Sequence, residues 1–147
     1  MCTVKTPKGR RLPDDACPSC GTTMKPVKRR LTIRINGEAV AVEAVPHRRC
    51  PRCREAVLTY EETGVFNRRA LGTYRRKHDL LSEGEIRAIR ERLKLTQGAL
   101  SRLLRLGSNT VSRWEAGRNV QSASMDMMLR LLRDVPGALA YLRRRAA

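Results

Sequence analysis

The chain has 147 residues, which is long enough for one ordinary hydrophobic core or for two small modules. Its 31 Lys and Arg outnumber its 14 Asp and Glu, so the formal net charge is +17. A hydrophobic content of 41% excludes a wholly disordered chain, and no apolar run approaches the roughly 18 residues of a membrane helix. The N-terminal segment lacks the hydrophobic stretch of a secretory signal. We therefore expect a cytoplasmic protein, whose five cysteines remain reduced.

Such a surplus of positive charge indicates a polyanionic partner. The five aromatic residues are too few for a surface that stacks single-stranded bases, or for a basic helix that inserts bulky side chains into a membrane. Double-stranded DNA and structured RNA remain as partners. The alternative is a generally basic surface with no specific partner.

The N-terminal third contains a pattern typical of a β-hairpin. Residues 1–16 are polar and basic, and we expect a flexible arm there. Apolar and polar residues alternate from Leu31 to Ile35, Asn36-Gly37 is a strong signal for a two-residue turn, and Glu38 to Val45 forms the return strand. A two-residue loop pairs Ile33 with Val40 and Leu31 with Val42, which places all four on one face.

Four cysteines bracket this hairpin in two C-x-x-C pairs that are separated by 29 residues: Cys17, Cys20, Cys50 and Cys53. Four thiolates at one end of a hairpin are the ligands of one structural Zn²⁺, and they leave no open position for catalysis. A redox dithiol and two coincidental buried pairs are the alternatives. We expect His47 to be solvated or to lie just outside the ligands, and we assign no role to Cys2. Residues 17–56 are thus a predicted zinc ribbon.

Helical patterns dominate the rest of the chain. Residues 57–81 are predicted to form a helical linker, and residues 82–147 a bundle of five helices. Ser82 begins a capping box, and Thr96, Ser122 or Ser124, and Pro136 mark later helix starts. The third helix of the bundle is expected from about residue 108 to residue 116, where a glycine stops it.

The second and third helices of this bundle form a predicted helix-turn-helix. Apolar side chains pack inward, among them Ala99, Leu103, Leu106, Val111 and Trp114. Polar side chains point outward near the start of the third helix, where Asn109 and Arg113 share one face because they are four residues apart. Asparagine can bond adenine and arginine guanine with two hydrogen bonds each. The alternative is a plain bundle with a solvated polar face.

Two sets of DNA contacts follow from this arrangement. The predicted base-reading residues are Ser108, Asn109, Thr110 and Arg113. The predicted phosphate contacts are Gln97, Arg102, Ser112 and Arg118. Trp114 is expected in the core, and Glu115 is expected to be a structural hydrogen-bond or ion-pair partner.

The segment LTQGALSRLLRLGSNTVSRWEAGR resembles the helix-turn-helix of Cro and phage repressors, called XRE-type. Together with the N-terminal CPSCG and CPRC pairs, it resembles the MqsA family of antitoxins, also called YgiT-type zinc-finger proteins. The resemblance covers residues 17–145. One departure is Arg105, which occupies a turn position where glycine is usual.

This resemblance implies a bacterial protein in which the four cysteines hold zinc and the N-terminal domain docks an mRNA-cleaving ribonuclease toxin. It also implies a C-terminal domain that forms a homodimer and binds a palindromic operator in its own promoter, with Asn109 and Arg113 as base-reading residues. The whole prediction is an α+β chain with a zinc ribbon, a helical linker and a five-helix XRE-type bundle, acting as a repressor and antitoxin and not as an enzyme. The alternative is a stand-alone transcriptional regulator with no toxin partner.

Overall fold

The N-terminal part of the chain is built around a long β-hairpin. The structure, a computed structural model, describes residues 13–146; Cys2 and most of the predicted basic arm lie outside the described residues. Strand β1 (Lys25–Ile35) pairs antiparallel with strand β2 (Glu38–Arg49). Asn36 and Gly37 join them with φ of +49° and +84°, as a two-residue hairpin turn requires. The predicted turn is confirmed.

The predicted register of the hairpin is also confirmed, since Leu31 faces Val42 and Ile33 faces Val40. The strands are longer than predicted and contain a β-bulge, in which Arg30 faces both Glu43 and Ala44. Ala44 has φ of +49°, so it occupies the left-handed region that a bulge residue often adopts.

A third, two-residue strand, β3 (Ala56–Val57), adds to β2 and completes an antiparallel sheet of order β1-β2-β3. The buried cluster at this end of the sheet is small and consists of Cys17, Met24 and Cys50, with Cys20 and Val57 packed against it. This cluster alone gives the cysteine end of the sheet little hydrophobic stabilisation. Further along the hairpin, four more apolar side chains are buried: Ile35, Val40, Val42 and Val45.

Six helices follow the sheet. Their bounds are α1 (Tyr60–Lys77), α2 (Glu83–Arg92), α3 (Gln97–Leu103), α4 (Thr110–Glu115), α5 (Ala123–Asp134) and α6 (Ala138–Ala146). Among residues 13–146, none of these helices combines the length and the hydropathy that crossing a bilayer requires. The chain divides into two compact units, and the boundary falls inside α1 between Phe66 and Asn67. The carboxyl-terminal half of α1 therefore belongs to the second unit.

Side-chain caps begin four of these helices. Before α1, the Thr59 side chain accepts the N–H of Glu62, and the Glu62 side chain accepts the N–H of Thr59. Ser82 and Glu85 form the predicted capping box of α2, and Thr96 and Ser122 each accept a backbone N–H at the start of α3 and α5. The last helix forms, but the predicted place of Pro136 in its first turn was wrong, because Pro136 lies before the helix. Gly137, at φ of +85°, is not helical, so α6 begins only at the following residue.

The core of the second unit is apolar and draws on helices α2 to α5. Its buried side chains are Leu81, Ile86, Ile89, Leu100, Val111, Trp114, Leu129 and Leu132. Trp114 is only 3% exposed, so its predicted place in the core is confirmed. Each buried aliphatic or aromatic side chain contributes roughly 1.5–3 kcal/mol, and this core holds α4 against α2 and α3.

Candidate metal centre and nucleic-acid interface

The two C-x-x-C pairs come together at the end of the sheet that is remote from the hairpin turn. Their sulfur atoms all lie within 4.8 Å of one another. Cys17 Sγ is 3.4 Å from Cys53 Sγ, and Cys20 Sγ is 3.4 Å from Cys50 Sγ and 3.6 Å from Cys53 Sγ. All four are free thiols. The structure thus joins the four predicted ligands into one cluster.

Each pair lies on a turn of the same design. The N–H of Gly21 donates to the carbonyl of Cys17 at 2.8 Å, and the N–H of Arg54 donates to the carbonyl of Cys50 at 3.1 Å. The two donors have φ of +71° and +63°. Arg54 therefore adopts the left-handed conformation that glycine adopts in the first turn. The repetition of one backbone geometry aims both pairs of sulfurs at a common point.

The cluster fits a tetrahedral metal ion. Bonds of about 2.3 Å from Zn²⁺ to sulfur imply sulfur–sulfur edges of about 3.8 Å, close to the observed separations. Hydrogen bonds with the Thr22 side chain and backbone lower the pKa of the Cys20 thiol to about 6, which favours the thiolate that a metal binds. In the same cluster the Glu55 backbone lowers the pKa of Cys53, but the neighbouring thiols and burial outweigh it and raise that pKa to about 12. The four cysteines therefore provide the donor set and the geometry of a closed metal site.

Of the two places expected for His47, in solvent or just outside the ligands, the structure contradicts the first. The His47 side chain is buried in β2, and its Nδ1 lies 2.9 Å from the carbonyl oxygen of Val45. It is absent from the metal-ligand cluster that the described residues form. His47 is two residues from the buried Val45 in β2, so strand alternation places both on the same face.

The predicted base-reading residues lie around the start of α4. Ser108, Asn109 and Arg113 are exposed, and Thr110 is half-buried. On the other side of the helix, Val111 and Trp114 are buried in the core. The apolar residues thus fix the rotation of α4, and this rotation leaves the Asn109 and Arg113 side chains open to a ligand.

The predicted phosphate contacts fall into two groups. Arg102 and Arg118 are exposed. Ser112 and Gln97 are half-buried and already engaged, since Ser112 Oγ donates to the Asn109 carbonyl and Gln97 Nε2 donates to Glu115 Oε2 at 2.9 Å. The structure gives Gln97 a structural role, and its contact with phosphate stays a prediction.

Glu115 is the centre of a buried polar cluster that links α2, α3 and α4. Arg90 Nε donates to Glu115 Oε1 at 2.6 Å and Arg90 Nη2 donates to Oε2 at 3.0 Å, which is a two-bond ion pair. Arg87 lies 3.6 Å from the same carboxylate. The predicted structural role of Glu115 is confirmed, and the cluster fixes the end of α4 relative to its neighbours.

A second buried polar group was not predicted. Arg75 of α1 is 2% exposed, and its Nη2 donates to the carbonyl oxygens of Trp114 at 3.2 Å and Asn119 at 3.1 Å. It also forms an ion pair with Glu83. The partners are distant in the sequence, and Arg75 lies in a run of basic residues, so no local pattern distinguishes it from solvated arginines.

Comparison with known proteins decides the family. Residues 15–143 match a family described as the antitoxin component of a bacterial toxin-antitoxin system, MqsA. The chain belongs to the MqsA antitoxin family. A further similarity is to Antitoxin HigA-2 of Vibrio cholerae serotype O1, which is 34% identical over 62 residues, or 42% of this chain. The matched segment spans 60% of the length of that curated relative.

The charge of this MqsA-family chain is distributed unevenly between its two units. The first unit, residues 1–66, contains 13 Lys and Arg against seven Asp and Glu, whereas residues 67–147 contain 18 against seven. One Zn²⁺ on four thiolates would lower the net charge of the first unit by two. The positive surplus thus lies mainly in the unit that contains the exposed face of α4.

Proposed function

We propose that this chain is a sequence-specific DNA-binding repressor and the antitoxin of a type II toxin-antitoxin system, and that it has no catalytic role. The exposed face of α4 carries the DNA-binding part of the proposal. Asn109 and Arg113 are open to a ligand, while the opposite side of the helix is held in the core. A helix held in this way can enter a major groove with its polar side chains directed at base edges.

The charge of the second unit supports the same function. An excess of 11 positive charges over residues 67–147 attracts the phosphate backbone and accelerates encounter with a duplex. We propose that base-reading is done by Asn109, Arg113, Ser108 and Thr110, and phosphate contact by Gln97, Arg102, Ser112 and Arg118. A homodimer would place two α4 helices in grooves roughly 34 Å apart on a palindromic operator.

We further propose that Zn²⁺ is the ion at the four cysteines and that the ribbon docks an mRNA-cleaving toxin. The acidic residues of the first unit support this docking, because they would attract a basic ribonuclease even though residues 1–66 have six more basic than acidic residues. Five of the seven acidic residues in that segment are exposed, including Asp14 and Asp15. They offer partners for a cationic surface.

Replacing Arg113 or Asn109 by Ala is expected to reduce discrimination between a palindrome from the promoter of its own operon and a random duplex. Each lost pair of hydrogen bonds to a base lowers discrimination by roughly 1–3 kcal/mol, or about 5- to 150-fold. Fluorescence anisotropy at one fixed salt concentration measures both affinities. Arg118→Ala is the control, because loss of a phosphate contact weakens binding to both duplexes alike. Equal losses on the two duplexes for Arg113→Ala would contradict base reading.

Co-expression with the adjacent reading frame is expected to yield a complex in which this chain suppresses cleavage of mRNA. The measurement is copurification followed by an RNA-cleavage assay with and without this chain. A chain that binds its promoter, yet neither copurifies with the neighbouring product nor inhibits it, would instead be the stand-alone regulator.

A further inference from the structure

A cavity of about 450 Å³ lies where the end of α3 meets α5 and α6. Its volume falls within the range of roughly 300–1,000 Å³ that is typical of small-molecule sites, and such sites often lie between the helices of a bundle. Five half-buried apolar side chains form most of the lining: Leu103, Leu104, Met125, Met128 and Leu142. The cavity therefore offers a hydrocarbon group an apolar environment away from water.

Two exposed arginines complete the lining of this cavity. Arg105 lies in the turn after α3, and Arg145 lies in the last turn of α6. Arg105 Nη2 donates to the carbonyl oxygen of Arg145 at 3.1 Å, and the Arg145 guanidinium lies 5.7 Å from the centre of the Tyr141 ring. Within residues 13–146 neither guanidinium forms an ion pair, and none of the lining residues is acidic. Both positive charges thus lack an anion at the mouth of an apolar cavity.

This combination of lining residues fits an amphipathic anion. We propose that the cavity binds a small molecule of the fatty-acid class, with its hydrocarbon chain among the leucines and methionines and its carboxylate at Arg105 and Arg145. Arginine binds a carboxylate through two parallel hydrogen bonds, and methionine side chains adapt to flexible apolar ligands. The inference does not depend on the proposed DNA-binding function.

The charge of the cavity favours this ligand over a second copy of the chain. Two copies that met at this cavity across a two-fold axis would bring the same surface together, and with it Arg105 and Arg145 of both copies. No acidic residue of the lining would compensate these four charges. A carboxylate neutralises charge at the cavity, whereas a second copy adds to it.

The test is a titration of the full-length, zinc-loaded chain with decanoate, at concentrations at which decanoate stays monomeric. We expect the methyl signals of Met125 and Met128 to shift in NMR spectra, because both side chains line the cavity. Hexanoate should bind more weakly, by roughly fourfold for each methylene removed. Decanol has the same chain without the charge, and we expect about tenfold weaker binding.

Two matched variants test the role of Arg105. Arg105→Gly and Lys94→Gly each remove one positive charge from an exposed position outside the helices, and the two positions have φ of +54° and +53°. Glycine adopts this φ without strain, so both variants should fold, which thermal unfolding verifies. Lys94 is not among the residues that line the cavity. We expect about tenfold weaker decanoate binding for Arg105→Gly and wild-type binding for Lys94→Gly.

Four results would overturn the proposal. The first is a set of methionine methyl signals that decanoate leaves unchanged. The second is equal affinity for decanoate and decanol, which would deny the arginines a role. The third is an equal loss of decanoate binding in both variants, since the effect would then be one of net charge. The fourth is a shift of the Met125 and Met128 signals with protein concentration alone, which decanoate does not alter, because a second copy would then cover the cavity.

Discussion

Cys50→Ser is expected to abolish stoichiometric zinc binding and to unfold the ribbon while the helical unit stays folded. Cys50 is 1% exposed and belongs to the small buried cluster, so the cysteine end of the ribbon has few apolar side chains to replace the lost metal. In zinc-finger peptides the metal contributes about 10–16 kcal/mol, which is folding free energy when no other core exists. Elemental analysis gives the zinc content, and two-dimensional NMR of the full chain shows which amide signals lose their dispersion.

Cys2→Ser is the matched control for this experiment. It removes a thiol by the same change, at a cysteine that is not one of the four predicted ligands, and we expect one zinc per chain to remain. Removal of zinc from the wild-type chain by a chelator should reproduce the spectrum of Cys50→Ser and expose four additional reactive thiols. A hairpin that keeps its dispersed signals without metal would contradict a structural role for zinc.

The hairpin shows how far local sequence determines this fold. Asn36-Gly37 sets the length of the hairpin loop. The apolar and polar residues that alternate before it determine which side chains share the buried face of the sheet. The register of the two strands therefore follows from two short signals. The bulge at Ala44 has no such signal. Alanine is not typical of a left-handed position, and the extra residue is recognised only when both strands are followed beyond it.

The exposed face of α4 could be predicted because it lies opposite the side of the helix on which the apolar residues recur. Val111 and Trp114 must be buried, so Asn109 and Arg113 are left outside. Buried polar groups follow no such rule. Gln121 is fully buried, and it donates to the Leu81 carbonyl at 2.7 Å and to Asp126 at 3.0 Å. The hydrogen-bond partners of buried polar groups are set by tertiary packing, which the periodicity of apolar residues in a helix does not encode.

Arg75 is another buried polar group whose partners the sequence pattern does not reveal. Its burial joins the second half of α1 to the helical unit. In the sequence it is one of three consecutive basic residues of the predicted linker, and no local pattern separates it from the other two. Only the folded chain brings it to the carbonyls at the end of α4. A predicted linker is thus divided between two units, and its second half has a structural task.

Glu115→Ala is expected to lower the free energy of unfolding of the helical unit by about 3–5 kcal/mol, because it leaves the Arg90 guanidinium without its buried partner. The Glu115 side chain is 1% exposed and that of Arg90 is 13% exposed. Glu91→Ala is the control. Glu91 also pairs with Arg90, at 3.4 Å, but its side chain is 61% exposed, so we expect a loss below about 1 kcal/mol. Urea denaturation followed by circular dichroism measures both.

The Glu115 carboxylate should also give the helical unit a defined dependence on pH. Burial raises the pKa of Glu115, but the hydrogen bonds from Arg90 and Gln97 and the charges of Arg90 and Arg87 outweigh it and hold the pKa below its usual value. The contribution of Glu115 is therefore fully present above the unfolded-state pKa, near 4.5, and is lost as the pH falls through the lower folded-state value. The stability of wild type and of Glu115→Gln should differ most at neutral pH and converge in acid.

Asp126 and Glu85 also have lowered pKa values, so Glu115→Gln should retain part of the acid-induced loss of stability. The informative quantity is therefore the difference between the two stability curves, measured by urea denaturation from pH 7 to pH 3. A difference that is independent of pH would show that the charge of Glu115 does not stabilise the fold. A difference that grows as the pH falls would have the wrong sign for a carboxylate held ionised by Arg90, and it would contradict the ion pair at the end of α4.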